Sequence, residues 1–266
     1  MFPRTKEDFL KYAEKANLIP VYREYSAALE TPLSAYLKLE TGGHSFLLES
    51  VEGGQRLGRY SFIGFESSIL FYAKDGRVTI KENGETICRV SRDPLKDLET
   101  IFERFTTIKI PELPAFCGGA VGYLGYDMVR YWEELPKPPE KDTVYPDCYF
   151  MFADNIIVFD HVKQTMKIVI NTRVSNQPER DYEKAFLKIS EINKRLNKPL
   201  IKTMAAEHDT YDYHKPDDNY QYSCTQAEYE GMVKKAKKYV EAGDIFQVVL
   251  SRKTKFKLTK DPLSIY

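Results

Sequence analysis

Two leucines are followed by a glutamate and a serine at Leu47-Leu48-Glu49-Ser50. At the end of a strand this pattern sets a carboxylate and a hydroxyl beside an apolar surface, a pairing that can hold the ammonium group of an amino acid. A turn signal at Gly53-Gly54 and then Arg59, Tyr60 and Ser61 follow, so a hairpin can return a guanidinium and an aromatic ring to the same neighbourhood. Such a set would grip a zwitterion with an aromatic side chain. Read alone, the same residues describe a solvent-facing strand glutamate and a turn serine better than a site.

Other chemistries find less support. His44, His161, His208 and His214 fall in separate segments without metal-binding spacing, so no metal site is expected from them. There is no nucleophile elbow and no phosphate-binding P-loop. Gly118-Gly119-Ala120-Val121-Gly122-Tyr123-Leu124-Gly125 does not fit the dinucleotide fingerprint, and its glycines read as a strand approached closely by a neighbouring backbone. Thirty-nine basic and thirty-nine acidic residues leave no net charge, which argues against nucleic-acid and membrane-surface partners and for a small-molecule one. Cys88, Cys117, Cys148 and Cys224 are widely spaced and no signal-peptide core follows the start. Reduced cysteines in a soluble cytoplasmic protein are the expectation. No apolar run approaches the roughly 18 residues of a membrane span.

The elements that must position these residues can be read from periodicity and punctuation. Thr5 and Asp8 open a short helix with Phe9, Tyr12, Ala13 and Ala16 on one face. Leu18 to Glu24 reads as a strand, and Thr31-Pro32 starts a helix through Leu39. From Ser45 to Val90, short apolar runs alternate with turn signals at Gly53-Gly54, Asp75-Gly76 and Asn83-Gly84, which predicts antiparallel hairpins. A helix is expected from Asp93-Pro94 to about Phe105, then strands at Ala115 to Gly125, Tyr149 to Phe159 and Met166 to Asn171. Four prolines put the stretch from Tyr131 to Pro146 on the surface. A helix over about Arg180 to Leu196 leads to a polar linker, Asn197 to Tyr222. Thr225 and Glu228 then cap a helix that Gly243 ends, followed by a long strand from Ile245 to Lys257 and a helix start at Asp261-Pro262. The order argues an α+β fold, with largely antiparallel sheets and flanking helices.

The run LLESVEGGQRLGRYSFIG at Leu47 to Gly64 closely resembles the large subunit of anthranilate synthase, component I, a chorismate-utilising enzyme. Ile19-Pro20-Val21-Tyr22-Arg23-Glu24, GGAVGYLGYD at Gly118 to Asp127, and Gly243-Asp244-Ile245-Phe246-Gln247-Val248-Val249 extend the resemblance over nearly the whole chain. It implies conversion of chorismate to anthranilate and pyruvate with Mg²⁺, using ammonia from a glutamine amidotransferase subunit, component II, and feedback inhibition by L-tryptophan. The family's inhibitor element carries over to Glu49 and Ser50, with Leu48 and Pro20 as further candidates and Arg59, Tyr60 and Ser61 as supports. Gln247 takes the position near the substrate where water-adding relatives have a lysine base. A glutamine amide cannot take a proton at neutral pH but can orient ammonia.

The resemblance divides the chain into an N-terminal region, residues 1–210, carrying the inhibitor element, and the start of a chorismate-binding catalytic domain, residues 211–266. The family's catalytic histidine and magnesium-binding glutamates have no counterparts here, so the chain alone is expected to be catalytically incomplete. Two alternatives follow: aminodeoxychorismate synthase component I, which uses the same substrate, and a free-standing tryptophan-binding regulatory module.

Overall fold

The computed structural model describes residues 1–40, 42–49, 58–136, 145–200, 220–257 and 261–266. The chain divides into two compact units, Met1–Ile201 and Lys202–Tyr266.

The first unit is built on two five-stranded sheets. Its elements are α1 (Lys6–Ala13), β1 (Leu18–Ser26), α2 (Pro32–Leu39), β2 (Ser45–Leu48), β3 (Tyr60–Phe65), β4 (Ile69–Lys74), β5 (Arg77–Glu82), β6 (Glu85–Val90), α3 (Pro94–Phe102), β7 (Ala120–Leu124), β8 (Cys148–Phe152), β9 (Asn155–Asp160), β10 (Thr165–Arg173) and α4 (Pro178–Leu196). The first sheet runs β1-β10-β9-β3-β2 and the second β6-β5-β4-β8-β7. Every pairing within these two sheets is antiparallel, and helices flank them, so the expected α+β class is what the chain adopts.

Local chemistry accounts for the boundaries. Thr5 Oγ1 accepts from the backbone N–H of Asp8 and starts α1, while Thr31 and Ser34 exchange the reciprocal bonds of a capping box at α2. At Asp75-Gly76 and Asn83-Gly84 both residues of each pair have positive φ, which a two-residue hairpin turn with the twist of its strands requires. These turns set the register of β4 with β5 and of β5 with β6.

Two expectations are corrected. The apolar stretch Tyr149 to Phe159 is two strands rather than one: β8 joins the second sheet and β9 the first. The chain breaks at Ala153-Asp154, where the Ala153 N–H turns to Gly119 O and the Asp154 carboxylate accepts from Ser68 N. Apolar residues continue through the break, so periodicity gives no sign of it. The predicted long strand from Ile245 to Lys257 is reduced to Thr254–Lys255, because among the described residues its only partner strand is Gln221–Tyr222. A strand needs a neighbour to satisfy its backbone groups.

The first sheet has two different faces. Ile19, Val21, Ile63, Ile157 and Ile168 lie on one, buried under α1, α2 and α4 through Phe9, Leu39 and Ile189. Each fully buried side chain of this size contributes about 1.5–3 kcal/mol. The opposite face, with Tyr22, Ile156, Val158 and Val169, is covered by Ile110 and Leu113 from the segment before β7.

In the second unit, Thr225 and Glu228 form a full capping box on α5 (Gln226–Glu241), and Gly243 at φ 79° follows its end. None of the α5 residues is buried. The two-residue strands β11 (Gln221–Tyr222) and β12 (Thr254–Lys255) and the short α6 (Pro262–Ile265) complete it. Among the described residues no helix is long and apolar enough to cross a membrane.

Candidate functional site

Strand alternation sorts the candidate residues. Leu48 on β2 pairs with Phe62 on β3, and Phe62 with Val158 on β9, while Tyr60 pairs with Asp160. Residues directly opposite share a face, so Leu48, Tyr60 and Phe62 stand together on the face away from the helices. Leu48 is 42% exposed, whereas Tyr60 and Phe62 are half-buried, with ring centroids 6.1 Å apart and Phe116 edge-on to Phe62 at 5.0 Å. The result is a ledge of one aliphatic and two aromatic side chains beside the glutamate that follows β2, half-buried Glu49.

Arg59 is fixed above this ledge. Its Nε and Nη2 donate to the Asp160 carboxylate at 3.2 and 2.8 Å, and its guanidinium lies 4.9 Å from the centre of the Tyr60 ring. Among the described residues the other N–H groups of the guanidinium donate to none, and the two bonds to Asp160 hold the planar cation in place. Asp160 itself is 4% exposed and also accepts from the backbone N–H groups of Val162 and Lys163, both at 3.1 Å.

Burial alone would push the Asp160 carboxyl up, but the Arg59 hydrogen bonds and those two backbone donors outweigh it and hold it below the usual carboxylate range. A carboxyl depressed in the folded state adds stability above its unfolded pKa near 4, and that contribution is lost as pH falls through the lower folded value. Melting temperatures from about pH 5 downward are therefore expected to fall more steeply in the native chain than in Asp160→Asn, which lacks this carboxyl. Parallel profiles would exclude Asp160 as a source of acid sensitivity.

The remaining candidates do not join this group. Ser61 faces the helix-covered side, is 1% exposed, and its Oγ lies 2.7 Å from His161 Nε2. Pro20 is buried on β1, the sheet edge opposite β2, with three strands between them, roughly 19 Å of sheet. Ser50 and the Gly53-Gly54 turn lie outside the described residues, as do His208 and His214. Gln247 is exposed in the irregular stretch after α5, within the second unit.

The sequence reading missed Asp160, the residue that orients Arg59 from 101 positions away. Its only signal was a carboxylate ending the strongly apolar run Asn155-Ile156-Ile157-Val158-Phe159, just ahead of a turn. Among the described residues no group of three or more His, Cys, Asp or Glu could hold a metal ion, so those residues do not fit the magnesium that the resemblance implies.

Residues 43–266 match the family model described as chorismate binding enzyme. Over its whole length the chain is 36% identical to "Anthranilate synthase component 1" of Acetivibrio thermocellus, of which it covers 54%. It is 34% identical to the protein of the same name from Aquifex aeolicus, with 98% of this chain and 52% of that one covered. The crystal structure of anthranilate synthase component I from Streptococcus pneumoniae superposes with a TM-score of 0.61 at 27% identity, covering 90% of this chain and 50% of that chain. The chain thus spans about half the length of the relatives it matches.

Proposed function

Because this chain belongs to the chorismate binding enzyme family, we propose that it forms part of an anthranilate synthase component I that converts chorismate and ammonia to anthranilate and pyruvate. The observation that carries this reading is identity of 36% along the full chain to an anthranilate synthase component 1. In this reading a glutamine amidotransferase subunit supplies the ammonia, and Gln247 orients it near the substrate by hydrogen bonding. Residues 211–266 begin the catalytic domain. No step is assigned to magnesium, because the described residues offer no ligand set for it.

The regulatory half of the proposal concerns the ledge. L-Tryptophan would lay its indole on Leu48, Tyr60 and Phe62, offer its carboxylate to Arg59 and its ammonium to Glu49 and Ser50. What supports this is the coincidence, on one sheet face, of half-buried aromatic rings and a cation whose geometry a buried carboxylate fixes. Ser61 and Pro20 would act indirectly, Ser61 by holding β3 against the turn that carries His161.

Adding tryptophan to the isotope-labelled chain tests this. Resonances of Leu48, Arg59, Tyr60 and Phe62 are expected to shift while those of Leu47 and Ile63, on the opposite face, stay in place. Shifts confined to other parts of the chain would overturn the assignment.

A further inference from the structure

The outermost strand of the second sheet, β6, pairs with β5 alone, and all six of its residues, Glu85–Val90, are exposed. The Asn83-Gly84 turn closes on Glu82 and Glu85, which a two-residue hairpin makes a hydrogen-bonded pair. Alternation then turns the N–H and C=O of Glu85, Ile87 and Arg89 towards β5, in phase with the Ser91 N–H that donates to Gly76 O. Those of Thr86, Cys88 and Val90 point outward, and among the described residues no other group bonds them.

Other sheet edges are covered or short. β1 exchanges both backbone bonds of Tyr22 with Phe2 and gives the N–H of Leu18 to Thr106 O, β2 has four residues, and β7 has five with Gly122 at its centre. In contrast, β6 has no proline, no lysine and no bulge, its register with β5 being unbroken, so it lacks the usual features that keep an edge strand from pairing with another. Its two charged residues, Glu85 and Arg89, are of opposite sign.

A second copy of β6 fits this edge best in one register. Two strands related by a twofold axis run antiparallel, and their outward-facing residues must meet for the backbone bonds to form. An axis at Ile87 sets Thr86 opposite Cys88 of the second copy, Ile87 opposite Ile87, and Glu85 opposite Arg89 on both sides. The 56% exposed Ile87 side chains then cover each other, and Arg89 is already positioned by its 2.7 Å bond to Asp97. An axis at Thr86 or Cys88 would instead set Ile87 against Glu85 or Arg89, and one at Arg89 would oppose two guanidinium groups.

We infer that β6 is a dimerisation edge, through which two copies of this chain join with Ile87 on Ile87, so that their two five-stranded sheets become one continuous antiparallel sheet. The contact is one strand wide, so the dimer is weak, with a dissociation constant on the order of 10–100 µM. Neither the tryptophan ledge nor the catalytic proposal enters this inference.

Sedimentation equilibrium of the full 266-residue chain, without chorismate or tryptophan, is expected to show the average mass rising from monomer towards dimer between about 5 and 500 µM. Ile87→Lys sets two ammonium groups opposite each other and is expected to weaken association at least about tenfold at unchanged melting temperature, because the side chain it replaces is exposed. Thr86→Pro removes an outward N–H that lies outside the β5 ladder and should weaken it similarly. In a Cys88→Ser background, Ile87→Cys is expected to cross-link two chains when treated with oxidised glutathione, since opposite residues of a non-hydrogen-bonded pair lie within disulfide reach. A monomer throughout the concentration range, association that Ile87→Lys leaves intact, or no cross-link at position 87 would overturn the proposal.

Discussion

Replacing Gly122 with alanine is expected to unfold the second sheet, lowering stability by about 3 kcal/mol or more. A Cβ at this position would lie 1.8 Å from Tyr149 O and 2.7 Å from Phe150 Cα, both backbone atoms of the neighbouring strand β8. Neither can give way without breaking the β7–β8 ladder, in which Gly122 pairs with Phe150. Gly64 offers the contrast. There the methyl would meet the Phe46 ring at 2.1 Å, but the obstacle is a side chain on the edge strand that can rotate aside. Gly64→Ala should cost only about 1–3 kcal/mol. Denaturant unfolding of both variants checks the order, and equal costs would contradict the backbone argument.

The second large effect concerns Arg59. At the proposed tryptophan site Arg59→Ala removes the partner of the ligand carboxylate and the cation resting on Tyr60, and should weaken tryptophan binding about 10- to 100-fold. Arg59→Lys should recover little of this, because an ammonium cannot span both Asp160 oxygens as the guanidinium does. Asp160→Asn tests the positioning role separately: the cation remains but its anchor is weakened, so affinity should fall by less than in Arg59→Ala. Calorimetry on the three variants distinguishes this order from a merely structural role, in which Asp160→Asn would be the most damaging.

Tryptophan bound at this ledge could affect catalysis only by favouring one of two conformations. The coupling between such sites is typically about 1–3 kcal/mol, and it must act equally on the binding of substrate and of inhibitor. That reciprocity gives the ledge variants a second consequence: weaker tryptophan binding would leave chorismate binding in the absence of inhibitor unchanged.

What the sequence disclosed and what it concealed follow from the range of the forces involved. Local signals were reliable. Asp75-Gly76, Asn83-Gly84, Thr31-Pro32 and the Thr225 to Glu228 capping box act within four residues, and all took the expected form. The glycines around Gly122 were legible as a close backbone approach, although not the strand responsible. Facing was harder. Arg59, Tyr60 and Ser61 are consecutive, yet strand alternation puts Tyr60 on the ledge and sends Ser61 to the helix side. Pro20 resembles its family counterpart in sequence, but sheet order places it at the far edge from Leu48. Asp160 reaches Arg59 across 101 positions, a contact that a periodicity cannot encode.

The proposed function gives residues 1–210 a tryptophan-binding ledge and places residues 211–266 in the chorismate-binding domain. Its most direct test is anthranilate fluorescence from the 266-residue chain supplied with chorismate, Mg²⁺ and ammonium. No anthranilate above the enzyme-free rate is the expected result. Steady production of anthranilate by the chain alone would contradict the account.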